Sequence, residues 1–191
     1  MKMTVLEKYF VNRPGHTRTV ADRALELLGH IDLEAGWRYL DVGCGVGSSA
    51  GVIARETNLV VTGIDVDPKQ IAAANDGAAH QNLHFRVMDA TALDFRDGEF
   101  DIVATSMMTH HIQGWERAFS EMVRVLRTGG YLIYTDLAFP SWLARAGRRL
   151  IPFIGLPSTG ALRSLAVGAG LTTVYQAQKS GHVDTIWLKS A

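Results

Sequence analysis

The chain reads as an α/β protein built on a mostly parallel sheet, and three observations carry that reading. Strand-like and helix-like segments alternate along most of its length, the pattern of a parallel sheet covered by helices. Turn and capping residues separate those segments, with "GCGVG" at 43–47, "DP" at 67–68 and "GG" at 129–130. Acidic residues close three successive strands, Asp41, Asp65 and Asp89.

"TRTVADRALELLG" predicts the first helix, with Thr19 and Asp22 as a capping box and Gly29 as its stop. "WRYLDV" is the first strand, followed by a glycine turn and a helix from about Ser48. "NLVVTGIDV" is the second strand. Asp67 then serves as N-cap and Pro68 as first-turn residue of the helix "KQIAAANDGAA". "LHFRVM" and "FDIVATS" are strands three and four. "WERAFSEMVRVLRTGG" predicts a helix with Trp115, Phe119, Met122 and Leu126 on one face, ended by glycine. "YLIYTDL" is strand five. "SLAVGAG" closes a last helix, and "LTTVYQAQ" and "HVDTIWLKS" form an antiparallel pair joined near Gly181.

Composition bounds the function. The 191 residues, 47% hydrophobic and 20% charged, suffice for one domain with a full core. Nineteen basic residues balance nineteen acidic ones, which argues against a general nucleic-acid or acidic-membrane binder. A single cysteine, Cys44, excludes an internal disulfide framework and a multi-cysteine metal site. No apolar run approaches the roughly 18 residues of a membrane span, and "MKMTVLEKYFVNRPG" lacks the apolar core of a signal peptide. The expectation is a soluble, cytoplasmic protein without stable membrane insertion.

The glycines of "YLDVGCGVGSSAGVIA" sit where a strand hands over to a helix. There, backbone N–H groups and a helix N-terminus make a site for a polar ligand, and glycine permits unusual φ/ψ and close approach. An ordinary glycine-rich turn would look the same in isolation. Asp41, Asp65 and Asp89 favour the ligand, because carboxyl ends of adjacent parallel strands converge on one crevice.

"LDVGCGVG" resembles the first motif of the class I S-adenosylmethionine-dependent methyltransferases. The resemblance continues through "GIDVDP", "MDATAL", "FDIVATSMMTHHI" and "RVLRTGGYLIYTD", from about Trp37 to Asp136, with "AGLTTV" near the end. It implies a Rossmann-like three-layer sandwich with seven strands, the C-terminal strand antiparallel. It implies that Gly43, Gly45 and Gly47 admit the methionine part of the cofactor and that Asp41 attracts its ammonium group. Asp65 would accept the ribose hydroxyls. Asp89 would meet the adenine amino group, and the Ala90 N–H a ring nitrogen. Val66 and Met88 would cover the adenine faces. Cys44 and Ser106 fall within the implied binding set, with Cys44 read as a small packed side chain. The implied product is S-adenosylhomocysteine, and no metal is expected.

A nicotinamide dehydrogenase is the rival reading. Gly45 to Ala50 fits G-x-G-x-x-A with Asp65 about 20 residues on, and Tyr175 and Lys179 have the spacing of a dehydrogenase pair. That pair needs a helix, and Tyr175 stands in a β-branched stretch that reads as strand. A domain that binds the cofactor only to regulate or scaffold a partner would carry the same motifs.

For the reaction, His110 and His111 in "SMMTHHI" are the candidate bases, His111 foremost, with structural histidines as the competing reading. Two segments are candidate acceptor-pocket walls. "EKYFVNRPGHTRT" offers Tyr9, Phe10, Arg13 and His16 within an N-terminal lid at 1–30. "AFPSWLARAGRRLIPFIGLPSTG", within 137–170, offers Trp142, Leu143, Ala146 and Leu150 at helical spacing beside Arg145, Arg148 and Arg149, as a cap, a surface helix or a membrane-surface contact. The whole is expected to be a single domain, 1–191, with a cofactor core at 37–136 and a final strand pair at 171–191. "TSMMTH" departs from the motif of DNA-amine methylation, and neither an arginine-methylating glutamate pair nor a catechol metal site is evident. A small-molecule acceptor is favoured, without nucleic-acid partners. "LIPFIGL" permits a homodimer as well as a monomer.

Overall fold

A computed structural model of the protein describes residues 14–77, 80–139, 157–179 and 181–190. The roles expected of Tyr9, Phe10, Arg13, the His16 side chain and the segment 140–156 lie outside the described residues. The chain divides into two compact units, Lys2–Ala90 and Thr91–Ala191. Among the described residues a seven-stranded sheet has the hydrogen-bonding order β3 (Leu83–Val87), β2 (Val60–Asp65), β1 (Arg38–Val42), β4 (Phe100–Ser106), β5 (Leu126–Leu137), β7 (His182–Lys189), β6 (Leu171–Lys179).

The first unit comprises α1 (Pro14–Leu28), β1 (Arg38–Val42), α2 (Ser48–Glu56), β2 (Val60–Asp65), α3 (Pro68–Gly77) and β3 (Leu83–Val87). β1 and β2 pair in parallel with Leu40 opposite Thr62, and β2 pairs in parallel with β3, placing Asp65 opposite Val87. Four of the five β1 residues are buried, as a strand inside a parallel sheet requires. Leu40, Val42, Ile53, Val61 and Ile64 have no solvent exposure and form the core. Asp67 caps α3 as expected, its carboxylate accepting from Lys69 N at 3.0 Å. The capping box predicted at Thr19 and Asp22 is corrected: α1 begins at Pro14, whose fixed φ opens a helix, so both residues lie inside it.

The second unit comprises β4 (Phe100–Ser106), a 3₁₀ turn (Thr109–His111), α4 (Trp115–Val125), β5 (Leu126–Leu137), α5 (Thr159–Gly168), β6 (Leu171–Lys179) and β7 (His182–Lys189). Trp115, Ala118, Phe119 and Met122 are the buried face of α4, at the i, i+3, i+4, i+7 spacing of an amphipathic helix. Phe119 meets Trp187 edge-on at 5.7 Å, and the Tyr134 ring lies 6.4 Å from Phe119 and 6.0 Å from Trp187. Each such pair is worth about 0.5–1.5 kcal/mol beyond area burial.

The helix predicted to run into the glycines stops earlier. Leu126 already belongs to β5 and is opposite Phe100, and the register resumes at Tyr131 opposite Ile102. The intervening residues bulge out. Gly129 has φ +73°, and a Cβ on Gly130 would stand 2.6 Å from the Asp101 carbonyl oxygen. The two glycines therefore serve a strand irregularity, not a helix stop. β7 runs antiparallel to both β5 and β6, and Gly181 has φ +82° at the β6–β7 turn. Tyr175 and Lys179 stand in strand β6, which removes the helical Tyr-x-x-x-Lys arrangement.

Candidate functional site

The glycine loop leaves β1 in a backbone conformation that favours glycine: φ is +82° at Gly43, +55° at Gly45 and +74° at Gly47. It is tied to the end of β2. Gly43 N and Cys44 N both donate to the Ile64 carbonyl, at 2.8 and 2.9 Å, and Gly47 N donates to the Cys44 carbonyl at 2.9 Å. The glycines then diverge in purpose. A Cβ on Gly47 would lie 2.3 Å from the Phe85 ring, so Gly47 makes room for a β3 side chain. A Cβ on Gly45 would meet nothing within 4 Å, which leaves open space beside the loop there.

Asp65 organises this corner. Its Oδ2 accepts from Gly45 N at 3.1 Å and its Oδ1 from Asp67 N at 2.8 Å. A carboxylate has about four lone-pair sites, so each oxygen keeps acceptor capacity. Asp41 has the opposite character. It is 7% exposed, and among the described residues no group donates a hydrogen bond to its carboxylate. Burial, followed by the nearby Asp65 charge, pushes its carboxyl up to about 7. A buried acid in that condition fits a cationic ligand group.

The other residues expected here differ in accessibility. Val66 is 45% exposed at the end of β2, available as an apolar surface. Met88 is half-buried and its N–H donates to the Asp65 carbonyl at 3.0 Å, which brings the end of β3 to this corner. Asp89 is exposed in the following turn, and Ala90 is buried. Cys44 is half-buried, its thiol contacts the Gly45 carbonyl at 3.6 Å, and burial drives the thiol far above its usual range. Held protonated in this way, it is not a nucleophile at neutral pH.

The second unit holds a separate polar cluster. Ser106 ends β4 opposite Thr135, and Met107 follows with φ +53°, a conformation rare for a side-chain-bearing residue. The 3₁₀ turn then sets Thr109 and His110 over Asp136 of β5. The fully buried Asp136 carboxylate accepts from Thr109 N and Thr109 Oγ1, each at 2.6 Å, and from Leu137 N at 2.7 Å. It also hydrogen-bonds His110 Nδ1. Tyr134 OH pairs with Thr109 Oγ1 at 2.5 Å. Burial alone would raise the Asp136 carboxyl, but the His110 hydrogen bond and charge and the Thr109 donors hold it below the usual carboxylate range. The His111 ring lies tilted against His110 at 4.0 Å.

Asp136, Thr109 and Tyr134 were absent from the sequence expectations. The rule that singles out Asp41, Asp65 and Asp89, an acid at the carboxyl end of a strand, applies equally to Asp136 in "YLIYTDL". The structure couples His110 to the Asp136 carboxylate.

Comparison with known proteins agrees with these motifs. The "Methyltransferase domain" family model matches residues 40–134. The 27-O-demethylrifamycin SV methyltransferase of Amycolatopsis mediterranei is 38% identical over 130 residues, 65% of this chain and 47% of that protein. The ajmaline N-methyltransferase of Rauvolfia serpentina is 37% identical over 98 residues, 49% of this chain and 34% of that protein. The chain thus spans about half the length, or less, of these curated relatives. A geranyl diphosphate methyltransferase solved in complex with S-adenosylmethionine superposes with a TM-score of 0.76 over 93% of this chain and 92% of its own, at 15% identity. That likeness establishes the Rossmann-like α/β fold. The chain belongs to the class I S-adenosylmethionine-dependent methyltransferase family, through the domain whose match contains the glycine loop, Asp41, Asp65 and Asp89.

Proposed function

We propose that the chain transfers a methyl group from S-adenosylmethionine to a small-molecule acceptor, yielding S-adenosylhomocysteine, and that it does so as one methyltransferase domain whose cofactor core is 37–136. The supporting observation is Asp41: a buried carboxyl raised to about 7, with no donor among the described residues, beside a loop that is open at Gly45. The cofactor's ammonium group complements the Asp41 carboxyl in charge. Its ribose hydroxyls fit the spare lone pairs of Asp65, and the exposed Val66 and half-buried Met88 fit a planar apolar ring. Asp89 and Ala90 would meet the adenine edge, and Ser106 would complete the set.

When bound, the cofactor supplies an electrophilic methyl on a sulfonium, whose departure as a neutral thioether needs no acid. The residues of this chain therefore have three tasks: to hold the cofactor, to orient the acceptor and to exclude water. The relatives' names include a 27-O-demethyl substrate and an N-methyltransferase, so the family accommodates different acceptor atoms. A cytoplasmic monomer or homodimer acting on a metabolite is the reading we adopt, without a nucleic-acid partner.

Titration calorimetry with S-adenosylmethionine, S-adenosylhomocysteine, NAD and NADP tests the cofactor. At about pH 6 Asp41 is largely protonated, and an ammonium ligand lowers its pKa, so binding should release close to one proton. Running the titration in two buffers of different ionisation enthalpy measures that release. Binding of the dinucleotides alone would sink the proposal, whereas binding of the adenosyl ligands with no proton release would remove Asp41 from the ammonium site.

A further inference from the structure

Resting on that reading, we infer that the Tyr39 hydroxyl is a further part of the cofactor's ammonium site, a positioning residue that supports Asp41 across one water. Both residues belong to β1 of the first unit, two positions apart, so their side chains share one face of the sheet. They are buried, at 2% and 7% exposure, and among the described residues neither side chain has a hydrogen-bond partner. Neither is sealed off, because no side-chain oxygen or nitrogen among the described residues lacks both a partner and contact with solvent. Water-sized space therefore touches both the Tyr39 hydroxyl and the Asp41 carboxyl.

The neighbours on that face leave the tyrosine as the donor at hand. In parallel register Val61 stands beside Tyr39 and Gly63 beside Asp41, with Leu83 and Phe85 next in line on β3. None of those four carries a polar side chain. The room over Gly63 is taken by Phe85 and Cys44: a Cβ there would lie 2.6 Å from the Phe85 ring and 3.0 Å from Cys44 Sγ. The Cys44 thiol is itself turned to the Gly45 carbonyl. Among the described residues, the ionisable groups that bear on Asp41 are Tyr39, Cys44 and Asp65. Of these, Tyr39 offers an uncommitted O–H. Packing alone at position 39 would be met better by phenylalanine, because an unpartnered buried hydroxyl opposes folding.

The chemistry of an ammonium group suits this arrangement. It brings three N–H donors, and a single carboxylate faces one or two of them. The water accepts from the Tyr39 O–H and from the ammonium group, and it donates to the Asp41 carboxylate. Hydrogen bonds donated to the carboxylate favour its ionised form, which is the form that attracts a cation. Tyr39 thus acts through Asp41, and only on the amino-acid end of the cofactor. Adenine, ribose and sulfur lie outside its reach.

Calorimetric titration of wild type and Tyr39→Phe with S-adenosylmethionine, S-adenosylhomocysteine and 5′-methylthioadenosine tests the assignment. The last ligand keeps adenine, ribose and a thioether but has no amino-acid tail. Tyr39→Phe should bind the two ligands that carry the tail about 3–10-fold more weakly, and methylthioadenosine as well as wild type does. Equal loss for all three marks a packing role and overturns the inference, and so does the absence of any loss. Tyrosine ¹³Cζ NMR of the wild type adds a measurement that needs no variant. The Tyr39 resonance should move as Asp41 titrates around neutral pH. A resonance that stays flat across that range overturns the inference, whether or not Tyr39→Phe folds. Failure of the wild type to bind any of the three ligands would instead strike the cofactor reading, leaving the tyrosine resonance to judge the support of Asp41.

Discussion

Asp41 and Asp136 occupy similar places and live in opposite conditions. Each is a buried aspartate near the carboxyl end of a strand, 7% and 0% exposed. Asp136 receives hydrogen bonds from Thr109, His110 and Leu137, which outweigh its burial and keep it ionised. Asp41 receives none among the described residues and is pushed up to about 7 by burial and by Asp65. Burial by itself therefore says little about a carboxyl group's charge; the donors around it decide. The satisfied acid belongs to the protein's own architecture, and the unsatisfied one is suited to a ligand.

Truncation should separate the two most sharply. Asp136→Ala strands the Thr109, His110 and Leu137 donors in a buried site and should cost about 3–5 kcal/mol. At about 2–4 °C per kcal/mol for a domain of this size, calorimetry should show the midpoint falling by roughly 10 °C. Asp41→Asn removes a strained ionisation and should leave the ligand-free midpoint unchanged or higher at about pH 8, while abolishing tight cofactor binding. Equal destabilisation by both changes would collapse the contrast.

The pH dependence should carry the same signature with opposite signs. Folded Asp41 titrates near 7 and the unfolded group near 3.8, so between those values the folded chain holds the extra proton. Its contribution is complete below the unfolded pKa and lost as pH rises through 7, up to about 4 kcal/mol. Asp136 is depressed, so its contribution is present above the unfolded value and lost as acid protonates the folded form. Urea unfolding of wild type and Asp41→Asn from about pH 5 to pH 8 isolates the first slope, which should flatten in the variant.

A smaller effect distinguishes two glycines of one loop. Gly45→Ala should cost about 1–2 kcal/mol, from the left-handed backbone alone, and weaken cofactor binding. Gly47→Ala carries that strain plus the collision with Phe85, and Phe85→Leu should recover part of the excess. Indistinguishable stabilities for the two alanine variants would show that Phe85 moves aside freely.

Much of the first unit was legible because its signals are local. The glycine turn, the Asp67–Pro68 helix start and the strand-ending acids each sit within a few residues of what they specify. The second unit was harder to read. Leu126 continues the helical period of Trp115, Phe119 and Met122, yet the chain has already turned into β5, because pairing with Phe100 outweighs periodicity there. Thr19 and Asp22 imitate a helix start that Pro14 supplies five residues earlier. The Thr109–Asp136 bond joins positions 27 residues apart, and only tertiary folding reveals that His110 is tied to the Asp136 carboxylate.

Tyr134 has a consequence for how the protein should fail on heating. Its ring is shared with Phe119 and Trp187, while its hydroxyl anchors Thr109. The turn bearing His110 thus lacks an independent melting point of its own: it opens when the aromatic cluster opens. Loss of histidine order and loss of tryptophan packing should accordingly trace a single thermal curve.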